Sequence, residues 1–498
     1  MSVTIHTGSI IGYESRLVNV ECELSNGLPS ILMVGLAGKS IDEAKERVRS
    51  ALVNSSLQLP KKRITLNLAP ADMPKQGSSY DLPLAIAILA KSKQVPAVLD
   101  KTFFIGELSL SGELRPVPGA LAHTILARDR GFKQIVIPKA NADEACLVKD
   151  IEIKPAGNLR EVVMFLNNEQ DINSFTSFRN KINRVNKLDF SDIKGQPQAK
   201  RAMMIVAAGG HNIILSGPPG AGKSMLAKAL PSILPPMNDE EIIEVTNIQS
   251  IGGSSIGQVI SDRPVRSPHH TASHVSMIGG GRIPKPGEIS LSHRGILFLD
   301  ELPEYPRQVL ETLRQPLEDS YVDISRAEGR VRYPAQFTLV ATQNPCPCGY
   351  YGDKDKECLC TPHQINQYSK RISGPLLDRI DLSVKIDRID NSEILQTPIK
   401  DSVNVDMASV VNRARDRQKQ RFGNSTKLNA HMSNREVIKF ANLDEESQEL
   451  LDRASKGLKL SSRSYVKTVK VSRTIADINN SELIDKRAVA EALQYRFK

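Results

Sequence analysis

The sequence has no tryptophan, and aromatic residues make up only 4% of its 498 residues. It contains no run of about 18 apolar residues, the length that a membrane-spanning helix requires. Residues 1–6 contain no charged segment followed by an apolar stretch, so we expect neither a secretion signal nor a membrane partner. These absences predict a cytoplasmic protein.

Cysteine is also scarce, with six in the whole chain. Six thiols do not make a disulfide framework in a chain long enough for two to four domains, and a reducing compartment is the default. The formal net charge is +10, and residues 1–180 hold 21 basic and 19 acidic residues, so most of the excess lies after residue 180. A basic second part is compatible with nucleic acid but does not establish it.

A glycine-rich stretch organises this second part. Residues 211–216 are apolar and β-branched, which predicts a buried strand, and residues 225–230 read as a helix. Between them lies the pattern G-x-x-x-x-G-K-[ST]. A glycine loop between a strand and a helix is the usual context of a phosphate loop. The alternative interpretation is a glycine turn that matches the pattern by chance. The residues predicted to bind ATP are Gly217, Pro218, Pro219, Gly220, Ala221, Gly222, Lys223 and Ser224.

A second nucleotide element follows at residues 295–301. Its apolar residues end in Asp300 and Glu301, which predicts a buried strand that delivers two carboxylates at its C-terminal edge. Lys223 would reach the β- and γ-phosphates, and Ser224 and Asp300 would hold Mg²⁺. Glu301 would polarise the attacking water. ATP and Mg²⁺ are therefore the predicted cofactors.

Residues 1–172 contain no nucleotide motif and read as an α+β domain. Residues 105–113 and 131–138 resemble the proteolytic domain of Lon proteases, whose fold is like domain 2 of ribosomal protein S5. That family uses a Ser–Lys dyad, but residues 119–128 contain no lysine, so we expect the fold without peptidase activity. Ser78 and Ser79 are near the expected nucleophile, and we read His123 as a packing or surface residue.

Three further stretches identify a family. Residues 263–273 (Arg-Pro-Val-Arg-Ser-Pro-His-His-Thr-Ala-Ser), residues 295–301 and residues 374–381 (Gly-Pro-Leu-Leu-Asp-Arg-Ile-Asp) closely resemble the magnesium-chelatase-like AAA+ family called ComM or YifB. The resemblance runs nearly end to end. It implies a homo-hexameric ATPase ring, and the competence members are taken to be DNA helicases that promote branch migration, with recombination proteins as candidate partners.

The resemblance assigns roles by position. Asn344 matches sensor 1, which orients the lytic water, and Arg379 matches the finger arginine that reaches the γ-phosphate of a neighbouring subunit. Arg463 matches sensor 2 on a helical lid, with Arg473 as a competing candidate. Surface salt bridges are the alternative for each arginine. Residues 189–196 resemble the segment that packs beside the adenine.

Residues 324–333 read as a β-hairpin with its turn near residues 327–329. In related ring helicases the hairpin at this place points into the pore, so Arg326, Arg330 and Arg332 could track a phosphate backbone. Arginines in the pore would favour DNA as the substrate, and aromatic residues there would favour a polypeptide. Because the hairpin also contains Tyr333, a polypeptide substrate remains an open interpretation. A solvated charged hairpin is the third reading.

Four cysteines form the pairs Cys346/Cys348 and Cys358/Cys360. Thiolates this close suit tetrahedral Zn²⁺, although the spacing within each pair is tighter than the common C-x₂-C. A structural zinc site is our leading reading, with a disulfide or free thiols as the alternative and His363 as an alternate ligand.

The sequence thus predicts an α/β protein: a Lon-protease-like α+β domain (1–172), a linker (173–187), an AAA+ P-loop ATPase core (188–390) and a C-terminal helical lid (391–498). The leading function is a DNA motor that promotes branch migration in recombination or natural transformation. The competing function is a chelatase-like or protein-remodelling ATPase that acts on a partner protein. An ATP-dependent peptidase is disfavoured because the dyad lysine is missing.

Overall fold

The fold is taken from a computed structural model, which describes residues 3–35, 39–73, 75, 77–176, 188–281, 284–326, 329–353, 355–388 and 402–497. Most of the predicted linker at 173–187, and the predicted boundary between residues 390 and 391, lie outside these ranges. Among the described helices, none has the length and apolar character needed to cross a bilayer.

The first part of the chain builds a seven-stranded mixed sheet. Its strand order runs Ser30–Val34, Arg63–Ala69, Glu14–Ser25, Val3–Ile11, Thr102–Phe104, Gln134–Pro138, Glu152–Ala156. Alternate residues of the long strands are buried, as in Glu14–Ser25, because one sheet face packs against helices. The α-helices of this part are Lys39–Asn54, Asp81–Lys91, Ala120–Asp129, Ala142–Ala145 and Leu159–Leu166.

The second part builds a five-stranded sheet in which every pairing is parallel. Its order is Val265–Arg266, Ile296–Leu299, Thr338–Gln343, Ile213–Ser216, Leu382–Lys385. Strand Ile296–Leu299 is wholly apolar and Ile213–Ser216 nearly so, as expected where helices cover both faces of a parallel sheet. This arrangement confirms the predicted α/β core. Because the strands are parallel, their carboxyl ends all lie at one edge of the sheet and their amino ends at the other.

Short elements surround this sheet. The helices between residues 197 and 377 are Pro197–Gly209, Lys223–Ala229, Asp239–Gly252, His274–Ile278, Glu288–Leu291, Arg307–Thr312, Arg314–Asp319, Pro362–Ser369 and Gly374–Leu377. The two-stranded ribbons among the described residues are Glu107–Leu108 with Leu114–Arg115, Gly279–Gly280 with Lys285–Pro286, and Tyr321–Arg326 with Gly329–Pro334. The short 3₁₀ helices are Lys139–Asn141, Leu230–Ile233, Leu302–Glu304 and Asn429–His431.

The C-terminal part is helical, as predicted for a lid. Its α-helices are Ser402–Phe422, Asn434–Phe440, Glu445–Leu458, Ser462–Ile478 and Lys486–Gln494. Apolar residues of these helices share one hydrophobic cluster with the five-stranded sheet, including Val411, Ile475 and Val489 beside Ile213 and Leu382. The helical part is therefore packed directly on the sheet that carries the nucleotide motifs.

The first part also packs on the second. The backbone N–H of Gly119 donates to Ser250 Oγ at 2.9 Å, and Asn247 Nδ2 donates to the carbonyl of Tyr13 at 3.0 Å. The backbone N–H of Gly257 donates to Glu144 Oε1 at 3.2 Å. Helix Asp239–Gly252 and the residues that follow it thus contact the N-terminal region.

Candidate nucleotide site and its surroundings

The predicted phosphate loop joins strand Ile213–Ser216 to helix Lys223–Ala229 at the C-terminal edge of the five-stranded sheet. Gly220 and Gly222 have φ angles of 79° and 86°, and a Cβ added at either would meet no described atom within 4 Å. A Cβ at Gly217 would instead lie 2.2 Å from the carbonyl oxygen of Ile386. The loop therefore has an open backbone surface over its glycines, which fits a phosphate chain.

Lys223 is buried at the start of the helix. Its Nζ donates to the carbonyl oxygens of Gly217 at 2.6 Å and Pro218 at 2.9 Å, and to Asn344 Oδ1 at 3.0 Å. Burial lowers the pKa of Lys223, and the nearby charges of Asp300 and Glu301 act in the opposite direction. An ammonium held this way is oriented before a phosphate arrives.

Asp300 follows strand Ile296–Leu299 and lies opposite the phosphate loop. Ser224 Oγ is 3.1 Å from Asp300 Oδ2, and Thr342 Oγ1 donates to Asp300 Oδ1. A hydroxyl and a carboxylate in contact are the oxygen ligands that a Mg²⁺ bound to phosphate uses. When bound, that ion would neutralise phosphate charge, and Ser224 and Asp300 are the residues that would hold it.

Glu301 is exposed and adopts a left-handed conformation, with φ at 53°. Its backbone N–H donates to Thr342 Oγ1 at 2.9 Å, which ties this conformation to the neighbouring strand. A glutamate with positive φ is uncommon, and such conformations cluster at functional sites. An exposed carboxylate with this backbone conformation thus follows Asp300 directly after the strand end.

A cavity of about 1320 Å³ adjoins the loop. Its wall includes the phosphate loop, Ile193 and Gln196 of the segment predicted to lie beside adenine, and Tyr495 and Arg496 near the C-terminus. The volume is ample for a nucleoside triphosphate. No sequence pattern predicts that Tyr495 and Arg496 belong to this wall.

The four clustered cysteines lie close together in the segment that follows strand Thr338–Gln343 and Asn344. Their Sγ atoms all lie within 4.8 Å of one another, and three of the separations are 3.3, 3.6 and 3.6 Å. Four sulfurs at about 2.3 Å from a tetrahedral zinc would be about 3.8 Å apart. The separations exceed a disulfide bond, and all six cysteines are free. The donor set therefore fits a tetrahedral metal ion, and His363 is not part of it.

The loop between the two cysteine pairs packs against the phosphate loop. A Cβ at Gly349 would lie 2.6 Å from Pro219 Cδ, so only glycine allows this approach. Arg388 Nη2 donates to the carbonyl of Pro219 at 3.3 Å, and Arg388 pairs with Asp353 at 3.5 Å. The cysteine cluster is thus attached to both Asn344 and the phosphate loop.

Arg379 lies at the other edge of the sheet. Strands Ile213–Ser216 and Leu382–Lys385 pair in register from Ile213↔Leu382 to Ser216↔Lys385. The phosphate loop follows Ser216, whereas Arg379 precedes Leu382, so about 13 Å of strand separates the two edges. Arg379 is therefore placed away from the phosphate loop of its own chain.

Arg463 lies beside Arg379. Arg463 Nη2 donates to Glu318 Oε1 at 2.7 Å, and Arg379 Nη2 donates to Glu318 Oε2. Arg473, the competing sensor candidate, is buried and bonded to Asp477 and to the carbonyl of Ser481. Its bonds are those of a structural residue within the lid.

The predicted hairpin is observed as strands Tyr321–Arg326 and Gly329–Pro334. Arg330 and Arg332 are exposed and both pair with Asp323, and Arg332 also stacks 3.8 Å over the ring of Tyr321. The two arginines lower the pKa of Asp323. Residues 327 and 328 of the predicted turn, and the side chain of Arg326, lie outside the described residues.

The position of Tyr333 contradicts the interpretation that it is a pore aromatic residue that contacts a polypeptide. It is fully buried, and its hydroxyl donates to the carbonyl of Pro284 at 2.6 Å. An aromatic ring in this position is not available to a polypeptide in a pore. Val331, on the same strand face, is also buried, and a Cβ added at Gly12 would lie 2.3 Å from Val331 Cγ1.

In the N-terminal region, His123 is buried and its Nδ1 is 2.7 Å from Ser15 Oγ. Burial lowers the pKa of His123 to about 3. Ser78 Oγ donates to a carboxylate oxygen of Glu107. His123 is therefore a packing residue rather than a surface residue.

Sequence reasoning missed Thr342 and Glu318. Thr342 could have been found, because it lies two residues before Asn344 on a strand that ends at the same edge. Glu318 carries no such signal, because its two arginine partners are 61 and 145 residues away along the chain.

Three family descriptions match the chain. They are "Magnesium chelatase, subunit ChlI" over residues 189–394, "Subunit ChlI of Mg-chelatase" over residues 20–141, and "Magnesium chelatase, subunit ChlI C-terminal" over residues 402–496. Together they span the three structural parts described above.

Individual relatives agree. The chain is 43% identical to "Competence protein ComM" of Haemophilus influenzae, over 99% of this chain and 97% of that protein. It is 42% identical to "Uncharacterized protein YifB" of Escherichia coli, over 100% and 97% of the two chains. The Magnesium-chelatase 67 kDa subunit of Chlorobaculum parvum is 28% identical over 31% of this chain and 23% of its own length. The chain therefore belongs to the ComM/YifB family of magnesium-chelatase-like AAA+ ATPases.

Proposed function

We propose that the protein is an ATP-hydrolysing ring motor that acts on DNA. The observation that carries the ATPase part is the convergence of Lys223, Ser224, Asp300 and Asn344 at one sheet edge, next to a cavity of nucleotide size. Lys223 binds the β- and γ-phosphates, and Ser224 and Asp300 hold Mg²⁺. Glu301 takes the proton of the attacking water, and Asn344 orients that water.

The proposed hydrolysis needs a second subunit. Arg379 is on the edge away from its own phosphate loop, and a homo-hexameric ring would bring it to the γ-phosphate of a neighbour. A guanidinium fixed there offsets the negative charge of the transferring phosphoryl group. The ring and the finger role of Arg379 are parts of the same proposal.

DNA is the proposed substrate for two reasons. The chain is similar over nearly its whole length to a protein named for competence, and the exposed face of the hairpin carries arginines. Backbone phosphates would compete with Asp323 for Arg330 and Arg332. The task that fits a competence relative is branch migration during recombination or natural transformation, with recombination proteins as partners.

We also propose that Cys346, Cys348, Cys358 and Cys360 hold a structural Zn²⁺. The sulfur separations support a tetrahedral ion. Zinc at this place would fix the loop that contacts Pro219 and would thereby support the phosphate loop.

The deciding experiment measures ATPase rate with and without forked or single-stranded DNA. We expect DNA to stimulate the wild-type rate and the Arg330→Ala/Arg332→Ala variant to lose that stimulation while keeping the basal rate. Arg453→Ala is the matched control, because Arg453 is likewise an exposed arginine in an ion pair, with Glu449 on the lid surface. If no DNA stimulates the enzyme, the proposal fails and a chelatase-like motor acting on a partner protein replaces it.

A further inference from the structure

One carboxylate holds two arginines from different parts of the chain. Glu318 Oε2 accepts from Arg379 Nη2, at the end of the core, and Glu318 Oε1 accepts from Arg463 Nη2, at the start of lid helix Ser462–Ile478. Arg379 Nη1 also donates to the carbonyl of Pro375 at 2.7 Å. The guanidinium of Arg379 is therefore fixed from two sides.

This arrangement has a clear electrostatic consequence. Two guanidinium groups repel each other, and a carboxylate between them offsets that repulsion while leaving a net charge of about +1. Each guanidinium has five N–H donors, so the bonds to Glu318 leave donors for an anion. The side chains of Glu318 and Arg463 are 46% and 43% exposed, so an exposed pair of this kind adds little to stability. Its position at the finger is the reason to expect a functional role.

We propose that Glu318 is a positioning residue that orients Arg379 toward the nucleotide of the neighbouring subunit and ties it to the lid through Arg463. This rests on the proposed function, in which Arg379 acts in trans. Without Glu318, Arg379 keeps only its bond to the carbonyl of Pro375 and loses its connection to the lid. A misplaced finger weakens the contact with the transferring phosphoryl group, which forms fully only in the transition state.

The first test separates kcat from KM. We expect Glu318→Ala to lower kcat about tenfold and to leave the KM for ATP within about twofold, because the nucleotide cavity of the same subunit is at the other sheet edge. Glu318→Gln keeps the side-chain size and one acceptor, so its loss should be smaller. Glu449→Ala is the control, because Glu449 forms an exposed lid ion pair with Arg453. An unchanged kcat in assembled Glu318→Ala and Glu318→Gln rings would overturn the proposal.

The second test uses mixed rings. Lys223→Ala subunits lack a working site and Arg379→Ala subunits lack a finger, so a mixture should regain activity where an intact finger faces an intact site. Adding Glu318→Ala to the Lys223→Ala subunit should reduce this regained activity about tenfold, whereas adding it to the Arg379→Ala subunit should not.

The outcomes are distinguishable. Equal loss from both placements would overturn the positioning role, because it would show that Glu318 acts within its own subunit or on its fold. No loss from either placement would overturn it as well. If the starting mixture of Lys223→Ala and Arg379→Ala subunits regains nothing, the trans role of Arg379 fails, and with it the basis of this proposal.

Discussion

The two edges of the five-stranded sheet differ in how complete they are. At the C-terminal edge, Lys223 donates to Asn344 and Ser224 donates to Asp300 within a single chain. At the N-terminal edge, Arg379 and Arg463 share Glu318 and face no phosphate loop of their own. In the proposed function, the first edge binds ATP, and the charge at the second edge acts on the nucleotide of a neighbouring subunit.

The difference follows from the topology of a parallel sheet. Loops after the strands gather at one edge and loops before the strands gather at the other, so one chain cannot bring both sets to the same phosphate. A ring of identical subunits would solve this by placing the second edge of one subunit against the first edge of the next. Binding and hydrolysis are then separable, and mutations should separate them.

The strongest predicted loss of turnover follows from removing the arginine at the N-terminal edge. Arg379→Ala should lower kcat about a thousandfold, because a finger arginine contributes about 10³ to 10⁵ in rate. It should leave the Kd for a fluorescent ATP analogue nearly unchanged, because the binding edge is intact. Lys223→Ala should lose both binding and turnover. Steady-state ATPase assays and equilibrium titration of the same preparations measure these two quantities.

The controls concern assembly. Both variants need to form the same oligomer as the wild type by light scattering, since a disassembled ring would lose turnover for another reason. Arg371→Ala is a matched control, because Arg371 is an exposed arginine paired with Glu304 at 2.9 Å. If assembled Arg379→Ala rings hydrolyse ATP at the wild-type rate, the two edges do not form one shared site.

The next prediction tests what supports the C-terminal edge. Metal analysis of reduced protein should find about one zinc per chain, and Cys348→Ser should lose it. Because the loop between the cysteine pairs contacts Pro219, we expect the variant to raise the KM for ATP and to lower kcat, each about three- to tenfold. Cys146→Ser is the control, because Cys146 is partly exposed and outside the cluster. Metal-free protein with normal turnover would refute both the zinc and its supporting role.

The two edges also differ in how far the sequence predicts them. Asp300 follows a wholly apolar strand, and the end of a strand determines where the next side chain lies, so the local pattern predicts its position. The role of Asn344 is instead implied by the family resemblance. Glu318 was unpredictable because a long-range salt bridge leaves no local periodicity. The burial of Tyr333 was predictable, since strand alternation places it on the face opposite to Arg330 and Arg332. Arg473 resembled a sensor, but only packing against Asp477 shows its structural role.

A change at the contact between the N-terminal region and helix Asp239–Gly252 should alter stability and leave the ATPase rate nearly unchanged. Glu144 is fully buried there and accepts from Asn141 Nδ2 at 2.6 Å and from the Gly257 N–H. Burial raises the pKa of Glu144 from 4.5 to about 7. The folded protein therefore binds this proton more tightly than the unfolded chain, so stability falls as pH rises from about 5 to 7.

Glu144→Gln removes this titration while keeping an acceptor for the same donors. At pH 8 the variant should therefore be more stable than the wild type by about 3 kcal/mol, and at pH 5 the two should differ by much less, since a shift of one pKa unit is worth about 1.4 kcal/mol. Thermal unfolding at both pH values measures the difference. The ATPase rate should stay within about twofold, because neither sheet edge contains Glu144. A large loss of turnover would show that this interface acts on the nucleotide site, as a third region that controls hydrolysis beside the two sheet edges.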